Sequence, residues 1–284
     1  MCDVTVVCCW NNEELYGGFV NSLKVQDTPC EIIGIDNRDN KNFTSCAAAY
    51  NSVINQVKTK YVIYSHQDIL LNDTDALGKF VSYLGLIGKH GILGVAGVLE
   101  DRVEVFTNIK HRWNSTGEIS YAGHCRVEGN IMEGYTVDEC FFGGCTEHFR
   151  DEPFDEVICD NWHLYAADAC LNTRAQSEKR REEKRREEKR REEKRRAYIC
   201  DVTLLHLSSG SFNPAFYWGF YRLCRKYSRV FSHVRTTCAS SRTDILHLVP
   251  SLICQWTRSK MNSFLYHHAL IHKALRKAKK FLCG

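Results

Sequence analysis

The sequence predicts an α/β fold with a doubly wound, mostly parallel central sheet. Three observations carry that prediction. The first part of the chain alternates strand, helix, strand, helix, strand, the order that builds a parallel sheet through right-handed crossovers. The strands read as continuous apolar runs, as strands buried on both faces do. Each run then ends in polar residues, at the sheet edge where open α/β sheets bind ligands.

The elements come in this order. Val4–Cys9 is the first strand. Asn11, Asn12, Glu13 and Glu14 open a helix with an amide cap and acids in its first turn, which suits the helix dipole; it runs to about Lys24. Glu31–Ile35 is a second strand, ending in Asp36 and Asn37. Thr44–Lys58 is a helix and Tyr61–Ser65 the third strand. Residues 74–90 read as a helix, Gly91–Glu100 as a strand and residues 101–134 as mixed. Tyr135–Cys145 reads as a strand with Asp138 and Glu139 in its middle. Phe154–Arg174 is a loop leading into a helix, and Ala197–Ser211 a last core strand with His206 near its end.

Composition is that of a globular protein, 284 residues with 44% hydrophobic content. The start, MCDVTVVCCW, is strand-like and lacks a basic region, so no secretory signal is expected. No apolar stretch reaches the roughly 18–20 residues of a membrane span. Reduced thiols in the cytoplasm are then the expectation for the 15 cysteines, which form no Cys-x-x-Cys pair. The Asn-x-Ser/Thr sequons at Asn42, Asn72 and Asn114 carry no weight in that setting.

The net charge of +4 conceals an acidic body and a basic end. Residues 178–196 are a five-residue repeat with 12 Lys/Arg and 7 Glu. The repeat has strong helix formers and i,i+4 pairs (Glu182 with Arg186, Glu187 with Arg191) but no apolar stripe. It reads as an exposed helical spacer within a body spanning 1–221. A nucleic-acid partner is not expected of a charge-mixed run without aromatics. Residues 222–284 hold 13 Lys/Arg against 1 Asp. Phe264, His268, Ile271, Leu275 and Leu282 share one helical face there. The expectation is a basic amphipathic tail that either meets an anionic membrane surface or packs on the body, and a cytoplasmic protein peripheral to that surface.

The third strand runs straight into Ser65, His66, Gln67 and Asp68. With Asn11 and Asp36 ending the neighbouring strands, these residues converge on one sheet edge, as a metal or phosphate site would require.

The segments VVCCWNNEE, IIGIDNRDN, AAAYNSVINQVKTKYVIYSHQD and FDE…CDNWHLYAADACL together resemble the family 2 glycosyltransferases. More narrowly they resemble a branch in which His-Gln-Asp replaces the usual Asp-x-Asp and WHLY follows FDE. The resemblance covers about residues 3–215, apart from the charged insert. It implies the GT-A fold, a nucleotide-diphosphate-sugar donor (a UDP-sugar first), a glycan or lipid-linked acceptor, and a Mn²⁺ or Mg²⁺ ion that neutralises the leaving diphosphate.

The site residues are carried over one by one. Asp36, beside Asn37, would hold the base or ribose; Asn11, Asn51 and Gln67 would line the donor pocket. Asp68 would ligate the metal, His66 stands where the family has its first Asp, and His206 is the third candidate ligand, followed by Ser208, Ser209 and Gly210 as phosphate donors. Family members carry Glu-Asp at the start of the helix after FDE. A gapless matching puts Tyr165 and Ala166 there, so the general base falls to Asp160, with His163 next, Trp162 as a stacking platform and Asp138 at sugar hydroxyls.

The expected function is a metal-dependent transfer, inverting at the sugar. A nucleotidyltransferase would need a Gly-rich basic loop after the first strand, where CWNNEEL has none. A catalytically degenerate scaffold of the same fold remains the alternative, kept open by the absent Glu-Asp pair.

Overall fold

A computed structural model describes residues 2–102, 104–112, 117–184, 195–207 and 214–242. Most of the charged repeat, Ser208–Gly210, the Asn114 sequon and the amphipathic tail helix lie outside the described residues. The chain divides into two compact units, Met1–Ser240 and Ser241–Gly284. All the described strands and helices belong to the first unit, which continues past residue 221.

In chain order the elements are β1 (Val4–Trp10), α1 (Glu13–Lys24), β2 (Glu31–Asp36), α2 (Cys46–Val53), β3 (Tyr61–Ser65), β4 (Ile69–Leu70), α3 (Ala76–Ile87), β5 (Ile92–Gly94), β6 (Ala96–Val98) and β7 (Val105–Thr107). After these come β8 (Lys110–Arg112), β9 (Ile119–Tyr121), β10 (Ile131–Gly134), β11 (Thr136–Val137), β12 (Phe141–Cys145), α4 (Thr146–Asp151), α5 (Tyr165–Lys184), β13 (Ala197–Cys200), β14 (Leu205–His206) and α6 (Pro214–Tyr227).

The caps explain the helix starts. Asn12 caps α1, its side chain accepting the Leu15 N–H, and Ser45 caps α2 by accepting from Ala48. The expected helix over Thr44–Lys58 is shorter than the pattern suggested. It ends at Val53 and tightens into a 3-10 turn over Ile54–Gln56, where two β-branched residues meet. Gly88, at φ +76°, closes α3.

The central sheet has seven strands in the order β10-β13-β5-β12-β3-β1-β2. β2, β1 and β3 are parallel, as are β5 and β13, while β12 lies antiparallel between β3 and β5 and β10 is an antiparallel edge. The mostly parallel doubly wound sheet is thus present, with one reversed strand at its centre. The reversed strand packs closely against both neighbours at Gly143 and Gly144. A Cβ on Gly143 would stand 2.3 Å from the Val62 carbonyl oxygen, backbone that cannot yield without separating the strands.

Three runs read as single strands are broken in two. Gly91–Glu100 divides into β5 and β6, which join different sheets, and Ala197–Ser211 divides into β13 and β14. Tyr135–Cys145 divides into β11 and β12, so Asp138 and Glu139 lie in the gap between strands rather than mid-strand. The runs stay buried on both sides of each break, which hides the break from the apolar pattern.

One sheet face packs on α1 and α3 through Phe19, Leu77, Phe80, Leu84 and Phe141. Beneath the other lies an aromatic cluster: Tyr64 meets Tyr50, Phe154 and Phe149 with ring centroids 4.6, 5.0 and 5.1 Å apart. Every described cysteine is a free thiol. No helix among the described residues is long and apolar enough to cross a membrane.

The start of the charged repeat is helical and continuous with the helix before it. α5 runs without a break from Tyr165 to Lys184. The far end is pinned as well: Arg195 is 4% exposed and its guanidinium donates to Glu152 and Gln176 and reaches His90. An unpatterned charge run gives no hint that one of its arginines is buried.

Gly143→Ala is expected to destabilise the protein by about 1–3 kcal/mol, the range of an overpacked core, seen as a Tm several degrees lower in a thermal melt.

Candidate active site

The carboxyl ends of the three parallel strands finish side by side, with Trp10 opposite Asp36 and Cys8 opposite Ser65. Just beyond them opens a pocket of about 360 Å³. Of the residues singled out in the sequence, Asn11, Asn37, His66, Gln67, Asp68, Trp162 and His163 line it. Trp10, Cys46 and Tyr50 are further wall residues without a role expected from the sequence, and Tyr165, at the position of the family's carboxylate pair, joins them.

Gln67 holds the pocket rim together. Its Oε1 accepts the backbone N–H groups of Asn11 and Asn12 at 3.0 and 2.9 Å, and its Nε2 donates to Asn11 Oδ1 at 2.7 Å. One amide thereby locks the β1–α1 loop to the exit of β3. Asn37 is buried, and its Oδ1 accepts from the N–H groups of Asn42 and Phe43. It shapes its own loop, although its side of the pocket remains part of the wall.

His66, Asp68 and His206 come together. The antiparallel pairing of β14 with β4 sets His206 beside Ile69, and His206 Nε2 lies 3.3 Å from Asp68 Oδ2. The ligand atoms of all three fall within 4.8 Å of one another. Cis ligands on a cation with bonds of about 2.1 Å stand about 3 Å apart, so modest closure would suffice. The donor set of two imidazoles and a carboxylate fits a divalent transition metal. Burial and the neighbouring His206 hold the His66 pKa below its ordinary value, opposed by Asp68; a neutral imidazole is the ligating form.

His111, on β8, is a fourth member that the sequence did not reveal. It pairs in register with His206, the rings 4.8 Å apart, and burial lowers its pKa. Parallel pairing of two short strands far apart in sequence leaves no local signal.

The remaining candidates are placed elsewhere. Asp36 is held by the Arg38 guanidinium, Nη2 to Oδ2 2.6 Å, which keeps its carboxyl below the usual range. Asn51 Nδ2 donates to the Phe154 carbonyl and Glu156 Oε1, and its Oδ1 accepts the Phe154 N–H; it ties α2 to the FDE loop. Asp138 accepts from the Cys140 N–H and the Thr237 hydroxyl. Burial would raise its pKa, but those hydrogen bonds win and lower it. Asp160 is outside the pocket wall, its two oxygens taken by the Arg222 guanidinium, whose hydrogen bonds hold the carboxyl pKa below its ordinary value. A carboxylate so held is a poor proton acceptor.

His163, in the same pocket wall, has Nδ1 3.2 Å from Glu139 Oε1. His66 Nε2 lies 3.2 Å from the Tyr165 hydroxyl. Glu139 was legible only as a carboxylate in an apolar run. Its pairing with His163 depends on the gap between β11 and β12.

This sheet with its strand-end pocket is a GT-A fold of the kind glycosyltransferases use. The family model described as Glycosyltransferase like family matches residues 5–181, more than half of the chain, and the chain belongs to that family. No curated protein matches the sequence. Among solved structures, S. aureus TarS in complex with UDP-GlcNAc is 14% identical with a TM-score of 0.52, over 80% of this chain and 66% of that one. GalNAc-T7 with UDP, GalNAc and Mn²⁺ is 7% identical with a TM-score of 0.52, over 79% and 48%. The mannosyltransferase PcManGT from Pyrobaculum calidifontis, in complex with GDP-Man and Mn²⁺, is 13% identical with a TM-score of 0.50, over 81% and 65%. At these identities the likeness is one of fold, and this chain spans less than two thirds of each of those chains.

Gln67→Ala removes two hydrogen bonds donated by backbone N–H groups and one side-chain amide hydrogen bond at about 1 kcal/mol each, less what water restores at the rim. A loss of about 1–2 kcal/mol in chemical denaturation is expected, with faster amide exchange at Asn11 and Asn12.

Proposed function

We propose that this protein transfers a sugar from a nucleotide-diphosphate sugar to a hydroxyl acceptor, with a divalent metal held by His66, Asp68 and His206. The observation that carries the reading is the meeting of those three side chains at the carboxyl ends of the parallel strands, on the rim of a pocket of about 360 Å³. A nucleoside diphosphate needs a cation beside its phosphates and an apolar wall beside its base, and Trp10, Leu15 and Tyr50 supply the wall.

A bound metal would supply charge neutralisation for the departing diphosphate. The chain's own groups do the rest. Gln67 orients the Asn11 loop toward the donor, Trp162 offers its ring face to a sugar, and the buried tyrosines under the pocket exclude water. Two imidazole donors favour Mn²⁺ over Mg²⁺, which prefers oxygen. A UDP-sugar is the first donor to try, in keeping with the UDP and UDP-GlcNAc bound by two of the similar structures. Inversion at the anomeric carbon, a glycan or lipid-linked acceptor, and a membrane-surface role for the basic residues after 221 follow from the resemblance and the charge pattern.

The test is a thermal-shift series of the full chain against UDP-, GDP-, CMP- and dTDP-sugars with Mn²⁺, with Mg²⁺ and with EDTA. A ligand at a hundred times its Kd stabilises by about 2.7 kcal/mol. The expected result is a rise of several degrees with one nucleotide class and Mn²⁺, smaller with Mg²⁺, and lost in EDTA and in Asp68→Asn. No shift with any nucleotide sugar would refute the donor site.

A further inference from the structure

A transfer of this kind needs a group to take the acceptor's hydroxyl proton. The carboxylate pair expected from the resemblance is replaced by Tyr165 and Ala166, and Asp160 is committed to Arg222. The pocket wall holds another arrangement. His163 lines the pocket with its side chain 25% exposed, and Glu139 stands behind it at 16%. Glu139 Oε1 lies 3.2 Å from His163 Nδ1, and its Oε2 accepts the Leu164 N–H at 2.7 Å. Both oxygens of one carboxylate therefore address consecutive residues at the entry to α5.

Leu164 sits at φ +74°, a left-handed conformation that costs a branched apolar residue free energy and persists only where the surroundings impose it. The Glu139 bond to its N–H is one such restraint. It sets the backbone so that His163 faces the pocket while Tyr165 turns under it. The His163 ring also packs edge-on against Phe216 of α6, centroids 5.5 Å apart. Burial disfavours the charged imidazole, yet the Glu139 hydrogen bond and charge outweigh it and the pKa lies above the ordinary value.

We infer that Glu139 is the positioning residue for His163, and that His163 is the general base of the transfer. The inference rests on the nucleotide-sugar transfer proposed above. Glu139 accepts Nδ1–H, which fixes the tautomer and leaves Nε2 as the basic nitrogen, the division of roles that carboxylate–imidazole pairs use elsewhere. In the step, the acceptor O–H proton passes to His163 Nε2 and the acceptor oxygen forms a bond to the anomeric carbon. The bond from that carbon to the phosphate oxygen breaks, and its electron pair leaves with the nucleoside diphosphate. Glu139 stabilises the imidazolium that results.

Other ionisable groups around His163 are Asp138 beside Glu139 and, in the same pocket wall, Tyr165, His66 and Asp68, while Asp160 and Arg222 are paired with each other outside the wall. Cys9, Cys46 and Tyr50 also line the pocket, and burial pushes all three pKa values up, Cys9 to about 12, so they stay protonated near neutrality.

The experiment follows UDP release from UDP-GlcNAc with Mn²⁺ and water as acceptor, from pH 5 to 9, on the full chain and on E139Q and H163Q. Thermal shift with UDP and Mn²⁺ is run on each. In E139Q a single carbonyl oxygen must serve two N–H donors and the negative charge is gone. E139Q is expected to lower kcat on the order of 10²-fold with little change in KM. Its acidic limb should move to lower pH, because the imidazole loses its anionic partner. H163Q should lose the limb altogether. Both variants should keep the UDP-dependent shift.

Wild-type kcat in either variant, or a fall in E139Q with the acidic limb unmoved, would overturn the inference. If E139Q does not fold, H163Q decides alone: loss of the limb with the UDP shift retained supports the assignment, and an unchanged limb refutes it. Wild-type protein with neither a shift nor UDP release would remove the underlying donor site instead.

Discussion

The site depends on one reversed strand. β12 enters the sheet antiparallel between β3 and β5, and its start lies against the end of β3, with Phe141 opposite Ser65 and the His66 N–H donating to the Cys140 carbonyl at 2.9 Å. Because β12 runs backwards, the residues that precede it arrive at the carboxyl edge of the parallel strands. That is how Glu139, from the middle of the chain, comes to stand beside His163. The close approach on its two sides depends on Gly143, where a Cβ would strike the Val62 carbonyl of β3, and on Gly144, where it would strike the Gly91 carbonyl beside β5.

The pocket floor is aromatic and neutral. Tyr50 and Tyr165 stand on the cluster of Tyr64, Phe142 and Phe154, and Tyr50 donates to the Ser65 carbonyl. Above that floor the polar groups are arranged in two sets, histidines with Asp68 on the side of β3 and β14, and His163 with Glu139 on the side of α5. The Tyr165 hydroxyl touches His66 and the Glu139 carbonyl oxygen, so one buried phenol links the two sets. Low local dielectric strengthens each of these contacts and makes each costly to leave unmade.

A second buried polar network, away from the pocket, holds the far end of the charged repeat at Arg195. Arg195 pairs with Glu152, and His90 and His148 face each other with Nδ1 atoms 3.4 Å apart. Burial pulls the His148 pKa down to about 4, so His148 is neutral near pH 7. The guanidinium beside His90 and Glu152 already supplies the positive charge that such a His-His-Glu group would otherwise accept from a metal.

The sequence by itself determined the layered α/β scaffold, the end of the third strand at Ser65, the ends of the first two to within one residue (Cys9 and Ile35 against Trp10 and Asp36), and the polar segment from His66 to Asp68. These are local properties: apolar period, cap chemistry and the point where an apolar run stops. It also put His206 with His66 and Asp68, through the order of motifs that resembles a known family. Tertiary structure decided the rest. Asp160, Asn51 and Asp36 are as polar and as near a strand or helix end as the pocket residues, yet Arg222, the FDE loop and Arg38 claim them. Glu139 and His111 gained their places through strand reversal and parallel pairing of short strands, and Arg195 through burial against Glu152, Gln176 and His90. Those contacts join residues far apart along the chain, and a side chain's partner at such distance is chosen by packing and desolvation, which no local pattern encodes.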